Sequence, residues 1–270
     1  MPEPTDTNAR VRLRTAGLGK RFETRGEGVQ ALAGLDLQVA DGEFVSVIGP
    51  SGCGKSTLFN ILAGLEEPSA GSLQLDGAAV HGRQLLGRVG YMPQRDLLMP
   101  WRTILDNTIL GLEVAGVRRA EARRRALALF PDFGLEGFEH RRPGELSGGM
   151  RQRAALLRTY LAGREVILLD EPFGALDSLT RAGMQQWLTG VWEEHRKTIV
   201  LITHDVDEAL FLADRVYVLS PRPGRVVLAL EVDLPRPRQY DLITSEPFVR
   251  QKQLLLAHLG LAVAPADAGP

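Results

Sequence analysis

Cysteine occurs once in 270 residues, at position 53, so the chain can close no internal disulfide and build no multi-cysteine metal site. Its five histidines show no ligand spacing of the zinc kind. Neither sign of charge is in surplus: 32 Lys and Arg stand against 33 Asp and Glu, and a net charge of −1 gives no global field to gather nucleic acid or anionic lipid. No uninterrupted apolar run approaches the ~20 residues of a membrane-spanning helix. The opening MPEPTDTNAR lacks the basic and apolar regions of a secretory signal. These absences predict a cytosolic chain in a reducing compartment, reaching a membrane only as a peripheral partner. What is present is 44% apolar residues, enough at this length for a sizeable core, which excludes disorder and fibre.

Short runs rich in valine and isoleucine recur at Phe44–Ile48, Val166–Leu169, Thr198–Ile202 and Val216–Leu219. Runs this short and this apolar read as strands buried on both faces of a parallel sheet. Helical patterns alternate with them at Ser56–Leu65, Gly149–Ala162, Leu179–Glu194 and Val206–Ala213, which predicts an α/β fold. Val11–Leu18 and Gly34–Val39 alternate instead of running, as antiparallel strands with one solvated face do. Between Pro93 and Glu145 the strand signal vanishes into a Leu-, Ala- and Arg-rich stretch, with Val117–Phe130 as its clearest helix. Arg118, Arg119, Arg123, Arg124 and Arg125 on that helix read either as a solvated face or as a membrane-facing patch. Pro247–Leu259 is amphipathic, and the end of the chain reads as disordered.

Gly49-Pro50-Ser51-Gly52-Cys53-Gly54-Lys55-Ser56-Thr57 fits G-x-x-x-x-G-K-[ST], directly after a buried strand and directly before a helix. Glycines at 49, 52 and 54 let the backbone curl so that successive N–H groups cradle an anion at the helix N-terminus. Lys55 reaches β- and γ-phosphates, Ser56 offers its hydroxyl to Mg²⁺, and Thr57 adds a hydroxyl to the phosphates. Cys53 occupies a position where the backbone carries the function and is read as an incidental small residue.

Val166–Asp170 is an apolar strand ending in a carboxylate, followed at once by Glu171. Beside a phosphate loop, Asp170 is placed to hold Mg²⁺ through water and Glu171 to polarise the water that attacks the γ-phosphate. The second reading of Asp-Glu-Pro is a cap on the next segment. His204 follows another apolar strand and so emerges at the carboxyl edge where α/β sheets bind ligands, facing the γ-phosphate or the attacking water. Gln94 follows Val89-Gly-Tyr-Met-Pro93 and alone carries no signal.

Leu146-Ser-Gly-Gly-Met-Arg-Gln-Arg153 resembles the signature motif of ATP-binding cassette (ABC) ATPases. The order of phosphate loop, Gln94, signature, Asp170-Glu171, Gly174-Ala-Leu-Asp177 and His204 is that family's full set, and the resemblance covers about residues 11–234. It implies an α/β, P-loop NTPase core with a parallel sheet, a small antiparallel β subdomain and a helical subdomain inserted at about 95–158, forming one domain over 11–240. A C-terminal helix and disordered tail would occupy 241–270. The resemblance further implies ATP and Mg²⁺ as cofactors, with Ser56, Gln94 and Asp170 at the metal and Glu171, His204 and Gln94 as catalytic residues. Ser147, Gly148 and Gly149 would bind the γ-phosphate of ATP held by a second copy, and Asp177 would communicate across that interface. Read on its own, Ser147-Gly-Gly is a helix N-cap followed by small residues. Phe22 matches the aromatic that stacks on adenine; its other reading is a core phenylalanine at a strand end.

Only 66 residues follow His204 (270 − 204), too few for the extra regulatory barrel of longer sugar-importer ATPases. Leu97-Leu-Met-Pro-Trp101-Arg-Thr-Ile-Leu-Asp-Asn107, Glu171–Arg181 and Ser220-Pro-Arg-Pro-Gly-Arg225 resemble the importers of nitrate, taurine and aliphatic sulfonates. The branch implies integral membrane permease subunits as direct partners, a solute-binding protein as an indirect one, no nucleic acid, and a peripheral place on the cytoplasmic face of the inner membrane. An apolar, aromatic groove at Trp101 would receive a permease helix, unless Trp101 is core. A different small solute, such as a thiamine precursor, an exporter and a non-transport cassette protein are the rival readings.

Overall fold

The computed structural model describes residues 10–23 and 28–261. Two sheets share the labour. The smaller is antiparallel, built from β1 (Val11–Phe22), β2 (Val29–Ala40), β4 (Ala70–Leu75) and β5 (Ala78–Val80) in the order β2-β1-β4-β5. Its alternation is real: Leu13, Thr15 and Leu18 of β1 are buried, while Arg14 and Ala16 face water. Both long strands exceed the stretches that the alternation marked. β4 and β5 left no run in the sequence because four of their nine residues are small and exposed.

The larger sheet has the order β10-β9-β3-β8-β7-β6, with β3 (Phe44–Ile48), β6 (Gly90–Met92), β7 (Val166–Asp170), β8 (Thr198–Ile202), β9 (Arg215–Leu219) and β10 (Val226–Glu231). All neighbours are parallel except β10 on β9, an antiparallel hairpin at the edge. Each central strand supplies two cores. Phe44 and Ile48, Ile167 and Leu169, Ile199 and Leu201, and Val216 and Val218 face the helices. Val45 and Val47, Val166 and Leu168, Val200 and Ile202, and Tyr217 and Leu219 face α1 (Lys55–Leu62) and the antiparallel sheet. A strand with no solvated face is mostly apolar, which is why these runs were nearly continuous, with Ser46 in β3 as a buried polar exception.

Pro93 to Glu145 holds α2 (Ile104–Thr108), α3 (Leu110–Val114) and α4 (Arg119–Leu129), all packed on α5 (Gly148–Leu161). α4 buries only Ala122 and Ala126. Its arginines are engaged by carboxylates of the same chain: Arg119 and Arg123 reach Asp106 at 2.9 and 2.8 Å, and Arg124 and Arg125 reach Glu121 at 2.8 and 2.7 Å. This is the solvated face, where water screens each pair and little stability is drawn from it.

After α6 (Ser178–His195) and α7 (Val206–Leu212), the chain doubles back as a strap ending in α8 (Glu246–His258), whose Phe248 and Leu255 enter the main core. The strap is fastened by arginines. Arg238 is buried and donates to the carbonyls of Leu210, Phe211 and Ala213 at the end of α7, and burial lowers its pKa to about 10. Arg236 pairs with Asp214 and lies over the Trp192 ring, 4.2 Å from its centroid. The residues from Ala262 onward, read in the sequence as a disordered tail, lie outside the described residues.

Candidate active site

Four parallel strands deliver their carboxyl ends to one edge: β3 leads into the phosphate loop, β6 to Gln94, β7 to Asp170 and Glu171, and β8 to His204. The loop is curled by Gly52 and Gly54, at φ +76° and +109°. Gly49 serves differently from the sequence reading: its φ is ordinary, and a Cβ there would sit 3.1 Å from the Leu219 carbonyl oxygen. It is needed for close approach, not for curling. Gly54 caps α1 with no side-chain acceptor, so the first-turn N–H groups of an eight-residue helix are free to receive an anion.

Lys55 is buried, and its Nζ donates to the carbonyls of Gly49 (2.7 Å) and Pro50 (3.1 Å), holding the ammonium inside the curl. Cys53 is also buried and belongs to the core behind the loop, in keeping with a small filler. A cavity of about 370 Å³ opens in front of the loop, lined by Phe22, Lys55, Ser56, Thr57 and Glu171 among others. Phe22 is 36% exposed and lines this cavity, with the Lys20 ammonium 4.9 Å from its ring centroid, so the core reading fails.

Asp170 is half-buried at the strand end. Burial pushes its carboxyl pKa up, while the Tyr91 hydroxyl, donating to Oδ2 at 3.3 Å, and the nearby Lys55 pull it back. The Asp170 carboxylate, the Ser56 hydroxyl and the Gln94 carboxamide offer hard oxygen donors of the kind Mg²⁺ takes. Ser56, Asp170 and Gln94 are the residues that would hold it. Glu171 adopts φ +45°, a left-handed conformation uncommon for a residue with a side chain. Its backbone is fixed there by donation from its N–H to Ile202 (2.9 Å) and acceptance from Gly174 (3.2 Å). Its Oε2 accepts from Gln94 Nε2 at 2.9 Å and lies 3.3 Å from His204 Nδ1. Strand-end geometry thus brings Gln94, Glu171 and His204 onto one oxygen.

The signature residues go elsewhere. Ser147 caps α5, accepting from the Met150 N–H at 3.3 Å, and Asp177 caps α6, accepting from the Thr180 N–H at 3.0 Å. Hydrogen bonds from Thr180 hold the Asp177 carboxyl below the usual range. The two caps are neighbours: a Cβ on Gly148 would meet the Leu176 side chain at 3.2 Å, and one on Gly149 the Thr180 methyl at 3.1 Å. Gly148 lines a second cavity of about 570 Å³ with Gln94, Arg95, Asp96, Arg151 and Leu176. That cavity is flanked by charge, and Trp101 is not part of its lining. Trp101 is 71% exposed, so the core reading fails.

Sequence reasoning missed three side chains here. Tyr91 stands in the short run before Gln94, and only its parallel pairing with β7 reveals its reach to Asp170. Glu208, in the first turn of α7 behind His204, is buried; it accepts from Gln185 Nε2 at 3.2 Å, and burial pushes its carboxyl pKa up to about 8. Arg181 approaches Asp205, the α7 cap, at 3.6 Å. The last two contacts join distant segments and leave no local signal.

A parallel sheet that brings a phosphate loop and a carboxylate pair to one edge defines a P-loop nucleoside triphosphatase. Within that class, the ABC transporter profile matches residues 32–174. An ABC transporter ATP-binding protein of Methanocaldococcus jannaschii is 44% identical, over 92% of this chain and 91% of its own. The taurine import ATP-binding protein of Pseudomonas aeruginosa is 44% identical, over 95% and 98%. A solved dimeric ATP-binding cassette, in a post-hydrolysis state bound to ADP and phosphate, superposes with a TM-score of 0.70 at 31% identity, over 83% of this chain and all of that one. The chain belongs to the ABC transporter family and is one of its ATP-binding, ATP-hydrolysing cassettes.

Proposed function

We propose that this chain is the ATP-hydrolysing subunit of an importer, acting as a head-to-tail pair of copies on separate membrane permease subunits, and that the solute is a small anion of the taurine, aliphatic sulfonate or nitrate kind. The observation that carries the two-copy arrangement is the separation of the signature from its own phosphate loop: Gly148 lines one cavity and Lys55 another. Such a chain completes its site with donors from a two-fold partner. Phe22 would stack on the adenine, the loop from Gly49 to Thr57 would hold the phosphates, and Ser147, Gly148 and Gly149 of each copy would close over the other's γ-phosphate.

Glu171 would accept the proton of the attacking water, held in place by Gln94 and His204, while Asp177 would register the partner's approach. Mg²⁺ on Ser56, Asp170 and Gln94 would neutralise charge developing on the phosphate oxygens. Among the described residues no helix is long and apolar enough to cross a membrane, in keeping with a peripheral subunit on the cytoplasmic face of an inner membrane. Support for the solute comes from the 44% identity to a taurine import protein and from the resemblance of Leu97–Asn107, Glu171–Arg181 and Ser220–Arg225 to that branch, not from the chemistry of the nucleotide site.

The test is ATPase activity of the complete complex in lipid, with its solute-binding protein, against taurine, other sulfonates, nitrate and a pyrimidine thiamine precursor. Stimulation by the anions alone is expected. Stimulation by the pyrimidine alone would reject the anion assignment and keep the ATPase.

A further inference from the structure

We propose that Arg222, carried by the turn between β9 and β10, is a cationic contact for the phosphate chain of the nucleotide, an inference that rests on the reading of the Gly49–Thr57 loop as an ATP site. The turn Ser220–Arg225 lies some 170 residues from that loop in sequence, yet is hooked directly onto its surroundings. Gly224 donates its N–H to Ala31 at 2.9 Å and accepts from Ala33 at 3.0 Å, which fixes the turn to β2. Within the turn, the Ser220 N–H donates to the Arg225 carbonyl at 2.9 Å, and the Ser220 hydroxyl accepts from the Arg225 N–H at 3.1 Å. A Cβ on Gly224 would collide with the Cys53 carbonyl, so glycine alone permits this approach to the back of the phosphate loop.

The backbone of Arg222 is therefore positioned against the loop before any ligand contributes. Its Nε donates to the Gly52 carbonyl at 3.1 Å, and the residue lines the same 370 Å³ cavity as Phe22, Lys55 and Thr57. A guanidinium offers five N–H donors in a rigid fork. One is used on Gly52, and the terminal nitrogens remain to be matched. Arg124 and Arg125 on the surface are answered by carboxylates of their own chain. Among the described residues Arg222 forms no ion pair. A fork anchored at one edge to the loop that cradles phosphates, and open at the other to the cavity, matches phosphate oxygens in charge and geometry.

The competing occupant is a carboxylate of a second copy, which would make Arg222 a residue of the two-chain seam instead. Calorimetric titration of the full chain with MgATP and with MgADP separates the two. The variants are Arg222→Gln, whose amide can still donate to the Gly52 carbonyl, and Arg222→Lys, which keeps the charge without the fork. Arg222→Gln should weaken both nucleotides about tenfold, and Arg222→Lys should recover most of that loss, with the unliganded melting temperature unchanged in both. Nucleotide affinity within twofold of the parent for Arg222→Gln, even with impaired two-chain turnover, overturns the proposal in favour of the seam. A lowered melting temperature with weakened binding that lysine does not restore overturns it in favour of a structural prop. A parent chain that binds no nucleotide removes the ATP reading itself, and this inference with it.

Discussion

Gln94 and His204 meet on the same oxygen of Glu171: Oε2 accepts from the Gln94 carboxamide at 2.9 Å and stands 3.3 Å from His204 Nδ1. The carboxylate is thereby aimed by groups from two other strand ends, while its own backbone is held at φ +45°. A residue kept in so restricted a conformation by its neighbours indicates a site where orientation matters more than local stability.

Replacing Glu171 with glutamine keeps the size and removes the base. Turnover should fall by about 10²–10⁴-fold, the range for loss of a positioned general base. MgATP binding should persist, so that an ATP-bound pair of chains accumulates on size-exclusion chromatography. Turnover within a few-fold of the parent would refute the role of Glu171.

Lys55 and Ser147 lie on different cavities, so their defects should complement between chains. Lys55→Ala should weaken nucleotide binding at least tenfold, since it removes a charge-assisted contact. Ser147→Ala should leave binding by its own loop intact. Mixed in one solution, the two inactive variants should regain activity limited to one intact composite site per pair. A monomer with full activity, shown by light scattering during turnover, would end the two-copy reading.

Glu208 makes stability depend on pH in a defined direction. Its carboxyl pKa rises from the ordinary 4.5 to about 8, with burial as the main cause and the Asp205 charge adding to it. Between those values the folded chain holds a proton that the unfolded chain has released, so stability falls as pH rises from about 4.5 to 8. Gln185, Thr203, Asp205 and Arg181 are the polar groups facing it. Glu208→Gln should flatten that descent, raising the melting temperature more at pH 8 than at pH 5. Parallel melting curves for parent and variant across this range would show that the carboxyl titrates normally.

Trp101 is 71% exposed and lines neither cavity described above. Trp101→Ala should therefore leave the melting temperature and ATP affinity of the isolated chain unchanged, and lower recovery of the complex when the chain is co-purified with its permease. Unchanged assembly and transport would take Trp101 out of the coupling path.

The phosphate loop was legible because nine consecutive residues do the work, and the central strands because burial on both faces leaves few polar residues. Asp170, Glu171 and His204 were legible because each sits at the end of such a strand or within two residues of it. What stayed hidden was held by contacts across the chain. Tyr91 reaches Asp170 only through the pairing of β6 with β7, and Gly49 needs proximity to Leu219, not freedom of φ. β4 and β5 lie at the surface with small residues and so produced no hydrophobic pattern. The pattern over Val117–Phe130 overshot α4, because Val117 packs before the helix begins and Phe130 only caps it.

α7 is gripped at both ends. Asp205 accepts from the Asp207 and Glu208 N–H groups at its start, one residue after His204, and the buried Arg238 collects the carbonyls of Leu210, Phe211 and Ala213 at its finish. Both ends of this short helix therefore have their free backbone groups answered, the start by its own cap and the finish by a side chain from the strap. α7 is tied in turn to α8 by the Lys252 to Asp207 pair at 2.7 Å. The segment that leaves the His204 strand end is thus moored to the last helix of the fold, which shows Val249 and Leu254 on its exposed side.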